Sequence, residues 1–414
     1  AGIVSFEYLW DKLQFYNMKR RKFIGMAAAG SAAIGTAPVI LTGTGWRGAN
    51  DRVNVAVIGI RAQGQAHISE YLKLQNTRVA AICDVDTNLF KERIKKHFTD
   101  KSLPEPKTYV DLRKLYEDKE IDAVELLTPH HLHCPMTVQA AQAGKHISVQ
   151  KPMALSAAEA DEMIAAADKA GVILRVYETF IYYAPVVRAR EMIEAGEIGE
   201  VRAVRMHVST GTGDTAWKVP ISAWMWRFDE KLCGGGPLVF DHGYHLFSVG
   251  HYLGGPVERV YAWIEETPVK EAAGLVKVDA PAMIMFQYKA PRCYGQLDVE
   301  YTPKMRIFSD YYADDDRIEI IGDKGMIFIN RYTARTVDLP ELMLFKDGKT
   351  TPIEVGGVEW HDSFIAATQD FVEKLKNGGQ PRLDGPTGKA VLQFTLAALQ
   401  SAATGREVRP DDVK

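Results

Sequence analysis

Short apolar runs separated by helix-period stretches fill the early part of the chain, and a succession of strand-like runs follows. Val53 to Ile58, Arg78 to Cys83, Ile121 to Leu127 and Gly144 to Val149 form the first series; helical patterns begin at Gln65 and run to Ala143 between them. Strand and helix in alternation is the pattern of a parallel sheet covered by helices. From Val172 the character changes. A helix and turn end over Glu191 to Gly199, and then Val201 to Ser209, Val257 to Ile264, Met283 to Tyr288, Gly295 to Tyr301, Arg317 to Ile321 and Met326 to Ile329 read as strands. So few helices intervene that a largely antiparallel open sheet is expected. Gly322-Asp323-Lys324-Gly325 supplies a tight turn, and helical periodicity returns at Trp360 to Lys376 and Pro386 to Ala403, expected to pack near the domain junction.

The first strand ends in Gly59, and Ile60, Arg61 and Gly64 follow in a G-x-x-x-x-G spacing. Strand, glycine turn and helix are the parts that seat a dinucleotide's pyrophosphate on helix N-terminal amides. Arg61 stands where the fuller G-x-G-x-x-G pattern has its middle glycine, so close backbone approach is lost there and the side chain is offered to a phosphate instead. Asp84 ends the second strand, where a carboxylate hydrogen-bonds ribose hydroxyls and repels a 2′-phosphate. NAD is therefore expected over NADP, with Arg61 leaving room for the phosphorylated form. The fold class that follows is α/β: an N-terminal Rossmann dinucleotide-binding domain over 51–172 and a C-terminal α+β domain over 173–414 with a large, mostly antiparallel open sheet. Residues 1–50 read as an extension.

Two further strand ends carry chemistry, because open parallel sheets hold their ligands at those ends. One is Thr128-Pro129-His130-His131-Leu132-His133, which reads as a cofactor edge through Thr128, Pro129, His130 and His133; no thiolate or carboxylate cluster follows at metal-ligand spacing, and no metal is expected. The other is Gln150-Lys151-Pro152, whose lysine is placed to aim an ammonium into the crevice. Later, Gly234-Gly235-Gly236-Pro237 introduces Asp241 and His245, which share one face if the segment is α-helical. Trp217, Lys218, Trp224, Trp226 and Arg227 precede that run. They read either as a sugar-gripping wall or as core. Tyr177, Glu178, Tyr182 and Tyr183 follow the last strand of the first domain and are expected to line the same crevice, with Tyr177 and Tyr182 as substrate contacts.

At 414 residues, two domains are the natural expectation, and 46% hydrophobic with 25% charged residues is ordinary for a soluble globular chain. The formal net charge of -3 comes without a basic stripe after residue 52, which argues against a nucleic-acid partner. Cys83, Cys134, Cys233 and Cys293 lie far apart and are expected to be free, mostly buried thiols. Met18-Lys19-Arg20-Arg21-Lys22-Phe23-Ile24, followed by an uncharged Ala/Gly-rich run from Gly25 to Gly45, resembles a twin-arginine export signal; a retained anchor or a packing arm is the other reading. Membrane contact is expected only through this segment, and the location is expected to be periplasmic or otherwise exported. A nucleotide working there cannot exchange with a cytoplasmic pool, so it is expected to stay tightly bound.

Gly59 to Gly64, Asp84, Thr128-Pro129, Gly144-Lys145-His146 leading to Lys151-Pro152, Gly234 to His245, and the closing Asp384-Gly385 and Ser401 to Val408 segments resemble the glucose-fructose oxidoreductase and inositol dehydrogenase (Gfo/Idh/MocA) family. The likeness spans Asn54 to Val408, with Gln150 where the family usually has glutamate. It implies catalytic roles for Lys151, Asp241 and His245, a carbohydrate substrate and a homo-oligomer, dimer or tetramer, that covers the open sheet. His245 suits the proton acceptor of a hydroxyl oxidation, Lys151 the stabiliser of the alkoxide, and Asp241 the orienting group for the sugar or the imidazole. The expected activity is hydride transfer between a sugar or polyol secondary hydroxyl and a nicotinamide. A glycosidase or lyase that oxidises a ring hydroxyl only transiently is the alternative, and a non-catalytic NAD-binding sensor is the third reading.

Overall fold

The computed structural model describes residues 52–213, 224–271, 274–290 and 292–414; Arg20, Arg21, Trp217 and Lys218 lie outside the described residues. Among the described residues, β1 (Val53–Ile58), β2 (Thr77–Cys83), β3 (Lys107–Tyr109), β4 (Ala123–Leu126), β5 (His146–Gln150) and β6 (Leu174–Tyr177) form one sheet in the order β3-β2-β1-β4-β5-β6. Every neighbouring pair in it is parallel. β1 has β2 on one side and β4 on the other, so the strand order reverses there and opens a crevice at the strand ends. The sheet continues past the 172/173 division to Tyr177, because β6 pairs with β5 along its whole length.

Both faces of this sheet are covered, which is why every residue of β1 except Asn54 is apolar and buried. Val53, Val55 and Val57 pack with Ile68, Tyr71, Phe371 and Val372, whereas Ala56 and Ile58 face Leu126 and Val149. Phe371 and Val372 belong to the helix Trp360–Asn377, so a late segment of the chain returns to cover the first sheet. Arg175 on β6 ties it down. Its Nε donates to Ser148 Oγ at 2.8 Å, one Nη donates to Ala367 O in that helix, and the other lies 3.5 Å from Glu125 Oε2. The guanidinium also sits 4.4 Å from the Phe371 ring centre.

The second sheet is built from β7 (Val201–Thr212), β8 (Val257–Ile264), the β9 (Thr267–Glu271) and β10 (Gly274–Val278) hairpin beside it, then β11 (Ala282–Tyr288), β12 (Tyr294–Arg306), β13 (Asp314–Gly322), β14 (Gly325–Ile329), β15 (Leu342–Lys346) and β16 (Lys349–Pro352). Its eight strands run β16-β15-β14-β13-β7-β12-β11-β8, antiparallel except for the β7–β12 pair. The expected architecture is thus present, with β15 and β16 added beyond the strands the alternation predicts. One face is buried: Phe394 of the helix Gly385–Thr404 packs on Phe247 and Phe286. Burying such a ring contributes about 1.5–3 kcal/mol.

The other face is open. Register places Trp263, Met283, Asp298, His207 and Arg317 in one row across β8, β11, β12, β7 and β13. Trp263 is 51% and Met285 43% exposed. His207 Nδ1 is 2.5 Å from Asp298 Oδ2 and Nε2 is 3.6 Å from Asp315. Asp298, followed by Asp315, pushes the imidazole up to about 10, so the centre of the row is ionic and its β8–β11 end apolar. All four cysteines are unpaired and buried.

Arg175→Met keeps the buried stem and removes the guanidinium, leaving the fully buried Glu125 with His67, Tyr71 and Ser148 but without its permanent cation. The expected loss is about 3–5 kcal/mol of folding stability in a urea titration, as for other broken buried ion pairs. A loss below about 1 kcal/mol would place Arg175 among residues whose charge does no more than a surface pair.

Candidate active site

Gly59 adopts φ +86°, and a Cβ on it would come within 2.6 Å of Leu127 O. A Cβ on Gly64 would meet Gly59 O at 2.1 Å, so both glycines are required by the turn that packs the helix Gln63–Lys73 against β1 and β4. That helix has no side-chain N-cap, and its first amides remain for an anion. The loop before it is fixed from behind. Asp84 Oδ2 accepts from Ile60 N at 2.9 Å, and the buried Arg93 donates to Ile60 O at 2.9 Å and Arg61 O at 3.2 Å. Arg61 turns its side chain toward Asp86, 3.1 Å away.

Gly59, Arg61, Asp84, Thr128, Pro129 and His130 line one cavity of about 650 Å³, and Gln150, Lys151, Trp224, Arg227, Asp241 and His245 continue its wall. Ile60 and Gly64 do not line it: Ile60 points its side chain into the core, and Gly64 is pressed on the loop backbone. His133 is a correction too. It is fully buried, with Nδ1 at 2.9 Å from Pro152 O and Nε2 at 2.9 Å from Thr128 O, so it braces the two strand-end loops rather than touching a cofactor. Burial pulls its pKa down to about 4.

Lys151 stands at the end of β5, its own amide taken by Gln150 Oε1 at 2.9 Å. Its ammonium donates to Asp241 O at 2.6 Å and Asp241 Oδ1 at 2.8 Å, while Arg227 Nε donates to Asp241 Oδ2 at 2.5 Å. Burial would raise the Asp241 pKa, but the Lys151 and Arg227 cations hold it well below the usual carboxylate range. Arg227 is itself stacked 4.5 Å from Trp224 and 4.4 Å from Trp226. Trp224 and Arg227 therefore belong to the cavity wall, as one of the two readings of this segment anticipates.

The segment that carries Asp241 differs from the α-helix the spacing predicts. Pro237–His242 is a π-helical turn, with Asp241 N bonded to Gly236 O and Gly243 N to Leu238 O, and the α-helix Tyr244–Gly254 starts only after Gly243. Asp279 forces the entry: its carboxylate accepts from Leu238 N at 2.8 Å and Val239 N at 2.7 Å, and a Cβ on Gly236 would meet it at 2.0 Å. Such wide turns gather at functional sites because they re-aim side chains. Asp241 faces the cations and His245 turns to a different carboxylate.

That carboxylate is Glu178. Its two oxygens lie 2.7 and 2.8 Å from His245 Nδ1, which fixes that nitrogen as the donor and leaves Nε2 unprotonated in the neutral ring. Glu178 also accepts from Phe180 N at 2.8 Å, and Phe180 stacks on the imidazole at 4.2 Å. Burial lowers the His245 pKa, and the Glu178 charge opposes that shift. Of the two roles expected for Asp241, orienting the imidazole falls to Glu178, and Asp241 holds Lys151 at the cavity wall.

Tyr177 and Tyr182 do not reach the cavity. Tyr177 donates to Phe364 O at 3.4 Å against the His67 ring, and Tyr182 donates to Asp370 at 2.6 Å beneath Arg382. Both lie under the helix Trp360–Asn377: Tyr177 because adjacent side chains at a strand end point to opposite sides, and Tyr182 from the short helical turn Phe180–Tyr182. Glu178 takes the crevice side. Arg93, Asp279 and Tyr312, which holds Gln63 across the cleft at 3.4 Å, have no signal in the sequence, since each acts from a distant segment.

A parallel sheet with a glycine turn at its reversal point, ending in a lysine–aspartate–arginine clamp and a carboxylate-held histidine, defines a dinucleotide-dependent oxidoreductase. Residues 53–178 match the model of the oxidoreductase family with an NAD-binding Rossmann fold, and residues 186–328 match the GFO/IDH/MocA C-terminal domain. The chain belongs to the GFO/IDH/MocA oxidoreductase family, and its cofactor is NAD. It is 26% identical over 362 residues to myo-inositol 2-dehydrogenase of Thermotoga maritima, covering 87% of this chain and 99% of that protein. A glycosyl hydrolase family 109 protein of Shewanella pealeana is 29% identical over 155 residues, 36% of this chain and 34% of that one. A solved levoglucosan dehydrogenase in complex with NADH and levoglucosan shares the fold with a TM-score of 0.72 at 24% identity, covering 87% of this chain and 99% of that one.

Glu178→Gln keeps the hydrogen-bond acceptor and removes the charge. Because that charge is what opposes burial, the His245 pKa is expected to fall further in the variant. An NMR titration of the imidazole checks it; an unchanged or raised value would mean that Glu178 is itself protonated in the folded protein.

Proposed function

We propose that this protein transfers hydride between a secondary hydroxyl of a sugar or polyol and NAD, with His245 as the proton acceptor and Lys151 as the cation beside the oxygen that gains charge. The convergence of Lys151 and His245 on the cavity whose other end is the glycine turn is the observation that supports this reading most directly. The fit of the cofactor rests on that turn, whose two glycines leave no room for a Cβ, and on Asp84 at the ribose end of β2. When bound there, the nicotinamide ring supplies the hydride acceptor or donor.

The protein's own part follows from its side chains. In the oxidising direction His245 Nε2 takes the hydroxyl proton, and Glu178 carries the compensating charge as the ring becomes cationic. Lys151 holds the oxygen from the other side, fixed by Asp241 so that little reorganisation is needed as charge develops. Trp224, Trp226 and Arg227 offer flat apolar faces and donors of the kind a sugar ring meets. The partial match to the glycosyl hydrolase supports a second reading, in which the same residues oxidise a ring hydroxyl transiently and a glycosidic bond is cut with no net change in NAD.

Export by the twin-arginine-like segment and a tightly held nucleotide belong to the same proposal. Lys151→Met and His245→Asn are each expected to lower kcat by about 10²–10⁴-fold, the range of a lost acid–base or electrostatic group. Mass spectrometry of the denatured wild-type protein should still release NAD or NADH after extensive dialysis. In Glu178→Gln the acid limb of the kcat/KM profile should move to lower pH, since proton acceptance needs the neutral ring. Full turnover in either the Lys151 or the His245 variant excludes this site.

A second copy of this chain is the proposed cover for the open face of the second sheet, where Trp263, Met283 and Met285 are exposed beside an ionic centre. Trp263→Glu with Met285→Glu is expected to shift the species seen in size-exclusion chromatography with light scattering toward monomer. A monomeric wild type would remove the proposal.

A further inference from the structure

We propose that His242, Asp314 and Asp316 hold a divalent metal ion in the wall of the same cavity, and that a substrate oxygen completes its coordination. The inference rests on reading that cavity as the active site, and it names a further recognition element there. His242 closes the π-helical turn next to Asp241. Asp314 and Asp316 stand two apart on β13, so they share one side of that strand.

His242 Nε2 lies 3.7 Å from Asp314 Oδ2 and 3.8 Å from Asp316 Oδ1. These separations are too long for hydrogen bonds. All three ligand atoms nevertheless fall within 4.8 Å of one another, the spread that a central ion with bonds of about 2.0–2.4 Å would span. Asp316 is only 1% exposed, and its Oδ1, like His242 Nε2, has no hydrogen-bond partner among the described residues. The other Asp316 oxygen accepts from Thr333 Oγ1 at 3.3 Å, which aims Oδ1 at the histidine. A buried carboxylate oxygen without a donor is costly, and a cation is what removes that cost.

The site is open on one side. His242 and Asp314 line the cavity, and Asp316 backs them, so three protein ligands leave positions that face the substrate space. The His242 and His245 ring centres are 5.7 Å apart, which puts a metal-held oxygen next to the hydroxyl that His245 would deprotonate. Adjacent oxygens suit that arrangement: one on the metal and its neighbour between His245 and Lys151. The substrate class is therefore a vicinal diol, or the α-hydroxyketone it becomes. One imidazole with two carboxylates favours a first-row divalent ion such as Mn²⁺ over Mg²⁺ or Ca²⁺. His130 and His133 contribute nothing, since their ring nitrogens are spent on backbone carbonyls and Asp241.

The test is Mn²⁺ binding to the full chain, free of affinity tag and stripped with chelator, read from loss of the free-ion electron paramagnetic resonance signal. Because binding is read without turnover, its outcome is separate from that of the Lys151 and His245 variants. Expected is one bound ion per chain with Kd below about 1 mM. Asp316→Asn and, independently, the more accessible His242→Ala should weaken it by at least about tenfold. Asp298→Ala, which alters the His207, Asp298 and Glu300 group on the opposite face of the sheet, should leave it unchanged. No binding at that concentration, or binding lost in Asp298→Ala and kept in His242→Ala, overturns the proposal.

Discussion

A buried carboxylate shared between two cations holds the site together. Asp241 is 3% exposed, and without Lys151 and Arg227 it would carry an uncompensated charge in a setting where such charges are among the most costly a fold can hold. The two cations come from opposite sides: Lys151 from the end of β5 in the parallel sheet, Arg227 from the tryptophan-bearing segment beside the second sheet. One carboxylate thereby locks the strand end to the π-helical turn. The ammonium that faces the cavity is held by a group of opposite sign, so its position is set before any ligand arrives.

A second carboxylate divides the labour. Glu178 takes His245 as Asp241 takes Lys151, and the two pairs sit in one cavity with different electrostatics. Asp241 is driven to stay ionised, whereas burial drives His245 toward its neutral form. A fixed cation beside a neutral imidazole is the arrangement in which a hydroxyl proton has somewhere to go and the oxygen left behind has something to lean on. Had Glu178 and Asp241 both faced the lysine, the histidine would have had no tautomeric preference.

Much of this was legible in the sequence. Strand–glycine–helix at Gly59 and Gly64, the acid at Asp84, and the Lys151 strand end follow from rules about where open parallel sheets bind ligands, and the alternation after Val201 marks an open antiparallel sheet. What stayed hidden required long-range partners. The turn before His245 is π-helical because Asp279, from the far side of the β9–β10 hairpin, caps it, and no local pattern encodes that. The tyrosines after β6 illustrate a nearer miss: strand alternation allows only one of Tyr177 and Glu178 to face the crevice, and the chemistry of a held imidazole selects the acid. His133 follows a strand end, where a cofactor contact is expected, yet its ring nitrogens are consumed in bracing the loops at Thr128 and Pro152.

β13 shows how tightly the two sides of the second sheet are coupled. Asp314 and Asp316 point to the cavity side, while Asp315 between them lies beside His207 on the open face. The same three consecutive aspartates therefore serve two polar centres, and a one-residue slip would exchange them. Such a slip would put two carboxylates on the open face, where Asp298 and Glu300 already flank a single imidazole, and would leave one carboxylate facing His242. Like charges on the one side and a depleted acid cluster on the other both oppose it. The register of β13 is thus specified from each face independently, and the geometry around His242 is fixed by the same pairing with β7 that builds the sheet.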